Sequence, residues 1–207
     1  MTTVLLTGFE PFAGAATNPS WDVARAVAAA WSGPEEVHAV QLPCVFAAAP
    51  EALADALATH DPDVVVALGL ASGRVGVTPE RVAVNLADAR IADNAGAQPR
   101  DAEVVPGGPA AYFTTLPVKA AVAAVHEAGL AASVSLTAGS YVCNATFYAL
   151  QHATAGTGTR SGFVHVPDVG DGLGQMSARD LERAVTAVVR ACLDHATDLA
   201  VVGGEVS

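Results

Sequence analysis

The sequence has 207 residues, of which 52% are hydrophobic and 15% charged, and its formal net charge is −11 at pH 7. A chain of this length suits one domain with a sizeable core, expected here over residues 1–207. Because so acidic a surface repels phosphate backbones and anionic lipid, nucleic acid and membrane surfaces are disfavoured as partners.

Strand-like and helix-like patterns alternate along the chain. Runs typical of buried strands lie at residues 4–9, 37–42, 64–69, 81–86, 132–136 and 162–166. Apolar residues at helical spacing lie at residues 18–30, 46–59, 115–128, 143–154 and 177–194. Asn18 and Pro19 begin the first helix, since Asn caps helices and proline fits the first turn. The order predicts an α/β fold, a three-layer α/β/α sandwich with a mostly parallel twisted sheet.

Two segments depart from this alternation. Residues 88–114 are rich in proline and glycine, and a loop of that length is typically a functional cover or disordered. Residues 128–159 are uncharged and long enough to cross a membrane, but glycines and polar residues interrupt them, so no span is expected. No signal peptide is recognisable after Met1, and a cytoplasmic location is therefore expected.

Cys143 is the cysteine best placed for chemistry. It lies at the start of a predicted helix, where a thiol pKa can be lowered and the sulfur partly exposed. Cys44 and Cys192 are interpreted as small core residues, and a buried core position is the commoner alternative for Cys143 also. The cysteine spacings fit neither a zinc ribbon nor a CxxC redox pair, so no metal is expected.

A cysteine nucleophile needs a base, and His165 is the strongest of the six histidines. It ends a buried strand in the motif FVHVPD, where a parallel sheet presents side chains to ligands, although a core histidine is an equal alternative. The other histidines lie at predicted helix ends or at a strand start, where structure alone explains them: His38, His60, His126, His152 and His195. Glu80 could orient an imidazole, or it could be a solvated carboxylate at a turn. Spacing alone does not join these residues.

Longer motifs cover nearly the whole chain. They are LLTGFEPFAGAATNPSW, GLASGRVGVTPERVAVNLADARIADNAG, VVPGGPAAYFTTLPVKA, TAGSYVCNATFY and GFVHVPD. In sequence and order they resemble the pyroglutamyl peptidase I, or pyrrolidone-carboxylate peptidase, family of cysteine peptidases. The resemblance implies a triad of Cys143 as nucleophile, His165 as base and Glu80 as its orienting acid. It implies release of N-terminal pyroglutamate from peptides through a thioester, with no metal or organic cofactor, by a homotetramer.

The resemblance also implies a substrate site. The family's ring pocket falls on Phe9, Phe12, Asn18, Ile91, Tyr141 and Val142. Arg90 matches a family arginine that could polarise the carbonyl, together with backbone N–H groups at the start of the Cys143 helix. An apolar pocket would exclude the charged ammonium of an ordinary N-terminus by desolvation. Without the resemblance, Phe9 and Phe12 would be interpreted as core residues.

Four positions depart from the commoner family pattern. Ala13 replaces a frequent glycine, Leu70 stands where some members carry glutamine, Tyr141 replaces phenylalanine and Ala145 replaces a frequent histidine. They predict changes in turnover or ring recognition, since an altered polar group in a buried pocket costs ~1 to 3 kcal/mol. Two alternatives follow, a cysteine hydrolase of another lactam or amide and a non-catalytic binding protein of the same fold.

Overall fold

The computed structural model describes residues 1–203. Its strands are β1 (Thr3–Phe9), β2 (Glu36–Leu42), β3 (Val64–Leu70), β4 (Thr78–Pro79), β5 (Val82–Val84), β6 (Ala111–Phe113) and β7 (Arg160–Val166). Its helices are α1 (Pro19–Ala30), α2 (Ala48–His60), α3 (Val118–Glu127), α4 (Val142–Thr154) and α5 (Ala178–Asp194). The predicted domain also includes residues 204–207, which lie outside the described residues.

The main sheet has the strand order β2-β1-β3-β7-β4. All its pairings are parallel except the pairing of β4 with β7. Alternate residues of each strand enter opposite cores: Leu6 packs with α1, α3 and α5, and Leu5 packs with α2 and α4. Strands covered on both faces are apolar throughout, as in the VVVALGL run of β3. The predicted α/β fold with a mostly parallel sheet is confirmed.

The predicted helices agree well with the structure because their starting signals are local. The Asn18 side chain accepts a hydrogen bond from the backbone N–H of Ser20 at 3.1 Å, with Pro19 in the first turn of α1. Ser177 caps α5 in the same way, by accepting from the N–H of Asp180. Helix α3 begins at Val118 rather than at residue 115, since Pro117 disfavours helical backbone in the residue before it.

Residues 81–86 do not form the predicted strand of the main sheet. Only β4 joins that sheet, and β5 instead pairs with β6 as a separate antiparallel ribbon. In β5 only Ala83 is fully buried, whereas Val82 and Val84 are half-buried. The run therefore lies outside the main sheet, with Ala83 packed into the same core as α4.

Residues 132–136 were also expected to be a strand, and this prediction is wrong. The segment lies beside residues 77–81 but makes only two isolated parallel bridges, at Ala132 and Ser135. Ser133 donates to the Val77 carbonyl and Ser135 to the Pro79 carbonyl, as in a parallel ladder. The next rung would need an N–H at residue 79, which proline lacks, so the ladder is interrupted there.

The segment 88–114 is organised rather than structureless. It contributes β6, and Ala87 bridges Ala102 across it. The buried Asp93 carboxylate accepts from the N–H groups of Ala95, Ala97 and, on a separate segment, Phe46. Within residues 1–203, every helix is too short or too polar to cross a membrane.

Candidate active site

The carboxyl ends of the central parallel strands meet the beginning of helix α4. His165 lies near the end of β7, in register with Gly69 of β3 on one side and with Thr78 of β4 on the other. Tyr141 precedes α4 in extended conformation, so Cys143 lies in the first turn of that helix. The fold thus brings together segments that are far apart in the sequence.

His165 and Glu80 form a buried hydrogen-bonded pair. The distance from His165 Nδ1 to Glu80 Oε1 is 2.7 Å, and Glu80 is fully buried. Glu80 is held in place by its backbone N–H, which donates to the Phe163 carbonyl at 2.8 Å. Because a carboxylate can only accept, Nδ1 carries the hydrogen and Nε2 keeps a free lone pair.

Arg74, which is not among the predicted site residues, binds the Glu80 carboxylate of this pair. One guanidinium nitrogen lies 2.6 Å from the same Glu80 oxygen and 2.8 Å from Thr78 Oγ1. A fully buried carboxylate is costly unless a cation pairs with it, and Arg74 supplies that cation. The available signal was the GLASGRVGVTPERV motif, in which Arg74 lies six residues before Glu80.

The Cys143 thiol and the His165 imidazole share one cavity. Burial raises the pKa of the Cys143 thiol, as do the nearby Cys44 and Glu80, while Arg74 opposes them. Burial also lowers the pKa of His165, against the opposing effect of the hydrogen bond to Glu80. Both causes favour a neutral thiol beside a neutral imidazole in the resting site.

The cavity has a volume of about 150 Å³. It is lined by Phe9, Phe12, Asn18, Cys44, Leu70, Ala138, Tyr141, Cys143 and His165. Pockets for drug-sized ligands have volumes of roughly 300 to 1,000 Å³, so this cavity suits a much smaller group. Its wall is largely apolar and aromatic, which favours an uncharged ligand.

Tyr141 fixes one side of the cavity. Its ring centroid lies 6.3 Å from that of Phe12 and 5.3 Å from that of Phe46, the latter edge-on. Its hydroxyl donates to the Ala92 carbonyl at 3.0 Å and so connects the cavity wall to the segment 88–114. Burial, together with the neighbouring Cys44, raises the pKa of Tyr141 to about 12, which keeps this hydroxyl neutral.

The other predicted site residues have different surroundings. Asn18 lines the cavity, but its amide is also engaged in capping α1 and in donating to the Glu10 carbonyl. Val142 is fully buried in the core. Arg90 is exposed and Ile91 half-buried, and neither lines the cavity.

The four departures from the family pattern have distinct surroundings. Leu70 and Tyr141 line the cavity, whereas Ala145 is buried within α4. Ala13 has a φ of 51°, in the left-handed region where glycine is favoured, so an alanine there is strained.

Asn144 is a structural neighbour of the nucleophile position. It is fully buried, and its amide donates to the carbonyls of Val84 and Leu86 at 2.9 and 2.8 Å. Its side-chain oxygen accepts from the Val84 N–H at 3.1 Å. It therefore attaches the first turn of α4 to the strand β5 and to the residues that follow.

Across residues 1–203, no three His, Cys, Asp or Glu side chains are grouped so that they could hold a metal ion. The three cysteines are free thiols, with Cys44 and Cys192 buried and Cys143 partly exposed.

Comparisons with known proteins agree on one family. Residues 2–195 match the model of the pyroglutamyl peptidase family. A pyrrolidone-carboxylate peptidase of Clavibacter michiganensis is 53% identical over 210 residues, which cover 99% of each chain. One from Streptomyces coelicolor is 57% identical over 169 residues, covering 81% of this chain and 78% of that protein.

Solved structures show the same likeness in three dimensions. The crystal structure of Bacillus amyloliquefaciens pyroglutamyl peptidase I superposes with a TM-score of 0.91 at 38% identity, covering 96% of this chain and 100% of that one. A mutant pyrrolidone carboxyl peptidase from Pyrococcus furiosus gives a TM-score of 0.88 at 38% identity, covering 93% of this chain and 99% of that one.

Proposed function

Since this chain belongs to the pyroglutamyl peptidase family of cysteine-type hydrolases, we propose that Cys143, His165 and Glu80 carry out its reaction. That reaction removes an N-terminal pyroglutamyl group from a peptide. The observation that carries the assignment is the 2.7 Å bond from His165 Nδ1 to the buried Glu80, beside a cavity that the Cys143 thiol also lines.

The first step is attack by the Cys143 sulfur on the pyroglutamyl carbonyl carbon. His165 Nε2 takes the thiol proton as the C–S bond forms, and Glu80 stabilises the resulting imidazolium through Nδ1–H. Because burial raises the pKa of the thiol, removal of this proton by a base is needed rather than a preformed thiolate. The tetrahedral oxyanion is stabilised by backbone N–H groups in the first turn of α4, which lack intrahelical partners.

The second half of the reaction releases both products. The imidazolium gives its proton to the departing amine, the C–N bond breaks, and a thioester joins the pyroglutamyl group to Cys143. Water then attacks the thioester carbonyl while His165 accepts its proton, and the C–S bond breaks to free pyroglutamate and regenerate the thiol.

The cavity supports selection of the ring. A pyroglutamyl ring is small and uncharged, whereas an ordinary N-terminus carries an ammonium that would lose its hydration among Phe9, Phe12 and Tyr141. We assign Asn18 to the same wall. Val142 supports this wall from within the core. Arg90 and Ile91 precede Ala92, whose carbonyl accepts the hydrogen bond from Tyr141, and they would contact the substrate from that segment.

The test measures release of a chromogenic amine from a pyroglutamyl amide and from a prolyl amide. We expect selective cleavage of the pyroglutamyl amide, and its loss in Cys143→Ser and after iodoacetamide treatment. The matched control Cys192→Ser, which changes a thiol buried in the core on the other face of the sheet, should cleave at a near-normal rate. Full activity in Cys143→Ser would refute the nucleophile. Absence of cleavage by folded wild-type protein would favour a binding role, and preference for another amide would favour a different hydrolase.

We further propose a cytoplasmic homotetramer. Three free thiols fit a reducing compartment. Sedimentation of the purified protein tests the assembly, and a monomer at micromolar concentration would contradict it.

A further inference from the structure

We propose that Arg74 is a positioning residue, whose guanidinium group holds the Glu80 carboxylate and the segment leading to Cys143 in one fixed arrangement. The proposal rests on the triad assigned above, and Arg74 itself does not line the cavity that receives the substrate ring.

The contacts of Arg74 join three parts of the site. One terminal nitrogen donates to Glu80 Oε1 at 2.6 Å and to Thr78 Oγ1 at 2.8 Å. The other donates to the Thr137 carbonyl at 2.8 Å, across a sequence separation of 63 residues. Thr137 begins the short connection to Cys143, and Thr78 is paired in register with His165. Through these bonds one planar guanidinium group fixes the relative positions of Glu80, of strand β4 beside His165, and of the segment that leads to Cys143.

The two bonds to Glu80 fall on the same oxygen. Oε1 accepts from both Arg74 and His165 Nδ1, at 2.6 and 2.7 Å, whereas Oε2 is buried without a hydrogen-bond partner in the described structure. A rotation of the carboxylate by a fraction of a turn would lengthen both short bonds, so Arg74 and His165 together hold its plane in place. Arg74 thus selects the carboxylate orientation in which Glu80 faces the imidazole.

Arg74 also sets the charge around the imidazole. The charged groups that face His165 are Glu80 and Arg74, while α4 presents the Cys143 thiol and β3 presents Gly69. Because the guanidinium cation disfavours an imidazolium, it helps to lower the pKa of His165. Removing that cation should raise the pKa, an effect that a purely structural arginine would not have.

The experiment compares Arg74→Gln and Arg74→Lys with Arg183→Gln. Arg183 is a matched control, since its two terminal nitrogens also reach a carboxylate, that of Asp180, and a backbone carbonyl, that of Ala128, each at 2.8 Å. We expect Arg74→Gln to lower kcat by about a hundredfold while KM changes little, because misplaced groups slow the chemical step without altering ring binding. We expect Arg183→Gln to behave as wild type.

The pH profile separates positioning from simple stabilisation. In Arg74→Gln the acid limb of kcat/KM should move to higher pH, and Arg74→Lys, which keeps the cation, should move it back towards wild type. If Arg74→Gln does not fold, the same comparison is made with Arg74→Met, which also lacks the cation, and with the His165 titration followed by NMR of labelled histidine. An unshifted limb or an unchanged kcat in a folded neutral variant of Arg74 would overturn the proposal, whereas activity in Cys143→Ser would instead overturn the triad on which it rests.

Discussion

Gly69 lies against both Cys143 and Phe163, and replacing it tests whether the site has room for one more methyl group. A methyl group at residue 69 would lie 2.7 Å from Phe163 Cζ and 2.8 Å from Cys143 Sγ. Ordinary contacts between such atoms are about 3.5 to 4.0 Å, so the overlap is nearly 1 Å with each neighbour. The φ of Gly69 is not positive, so any effect of alanine comes from this crowding rather than from backbone strain.

Phe163 is almost fully buried, so the ring has little room to yield and the sulfur must move. We expect Gly69→Ala to lower the free energy of unfolding by about 1 to 3 kcal/mol, the usual range for overpacking. A displacement of the sulfur by about 1 Å should lower kcat/KM by about a hundredfold. Urea unfolding and release of the chromogenic amine measure the two effects.

A double-mutant cycle with Phe163→Leu provides the control. Leucine lacks the Cζ atom that meets the new methyl group, so Gly69→Ala should destabilise the Phe163→Leu protein less than it destabilises wild type. The activity loss should persist in part, since the contact with Cys143 Sγ remains. Wild-type kcat/KM and an unchanged urea midpoint in Gly69→Ala would refute the geometry from which the prediction starts.

Two further perturbations test the base and the first turn of α4. Burial lowers the pKa of His165 from 6.5, and protonation removes the lone pair that the base needs. Activity should therefore be retained at pH 6.5 and lost as the pH falls through the lowered pKa. A kcat/KM profile with an acid midpoint above pH 6.5 would contradict this. Asn144→Ala removes three hydrogen bonds, two with Val84 and one with Leu86, and should lower the free energy of unfolding by about 3 kcal/mol, roughly 1 kcal/mol for each bond. Its urea midpoint is compared with that of Gln98→Ala, which removes hydrogen bonds to Ala89 and Arg90 from an exposed loop and should change stability little. Equal effects of the two variants would contradict the stabilising role of the buried Asn144 side chain.

The parallel core was predictable because its signals are local and repeated. Strand β3 is a continuous apolar run, and β1 and β7 are buried along most of their length. The capping residues Asn18 and Ser177 mark the starts of α1 and α5 directly. Residues 81–86 and 132–136 show the limit of such patterns. Alternation indicates an extended half-buried segment, but it does not say which partner the segment pairs with or that Pro79 will interrupt a ladder.

The site was less accessible to pattern reasoning than the fold. The location of Cys143 at a helix start and of His165 at a strand end followed from local periodicity, but their association with Glu80 required the family resemblance. Arg74 was missed because its role lies in distant contacts, such as the Thr137 carbonyl, that no local motif encodes. Asn144 was overlooked in the same way, since its partners lie on the segment after β4.

The wide separation of the site's segments has a consequence for refolding. Glu80 and His165 are 85 residues apart in the sequence, and they meet only when β4 has docked against β7. Such long-range pairings carry a large loop-closure cost and form slowly relative to local helices. Regain of turnover during refolding therefore reports completion of the sheet edge, whereas regain of helical circular dichroism reports only the earlier local events.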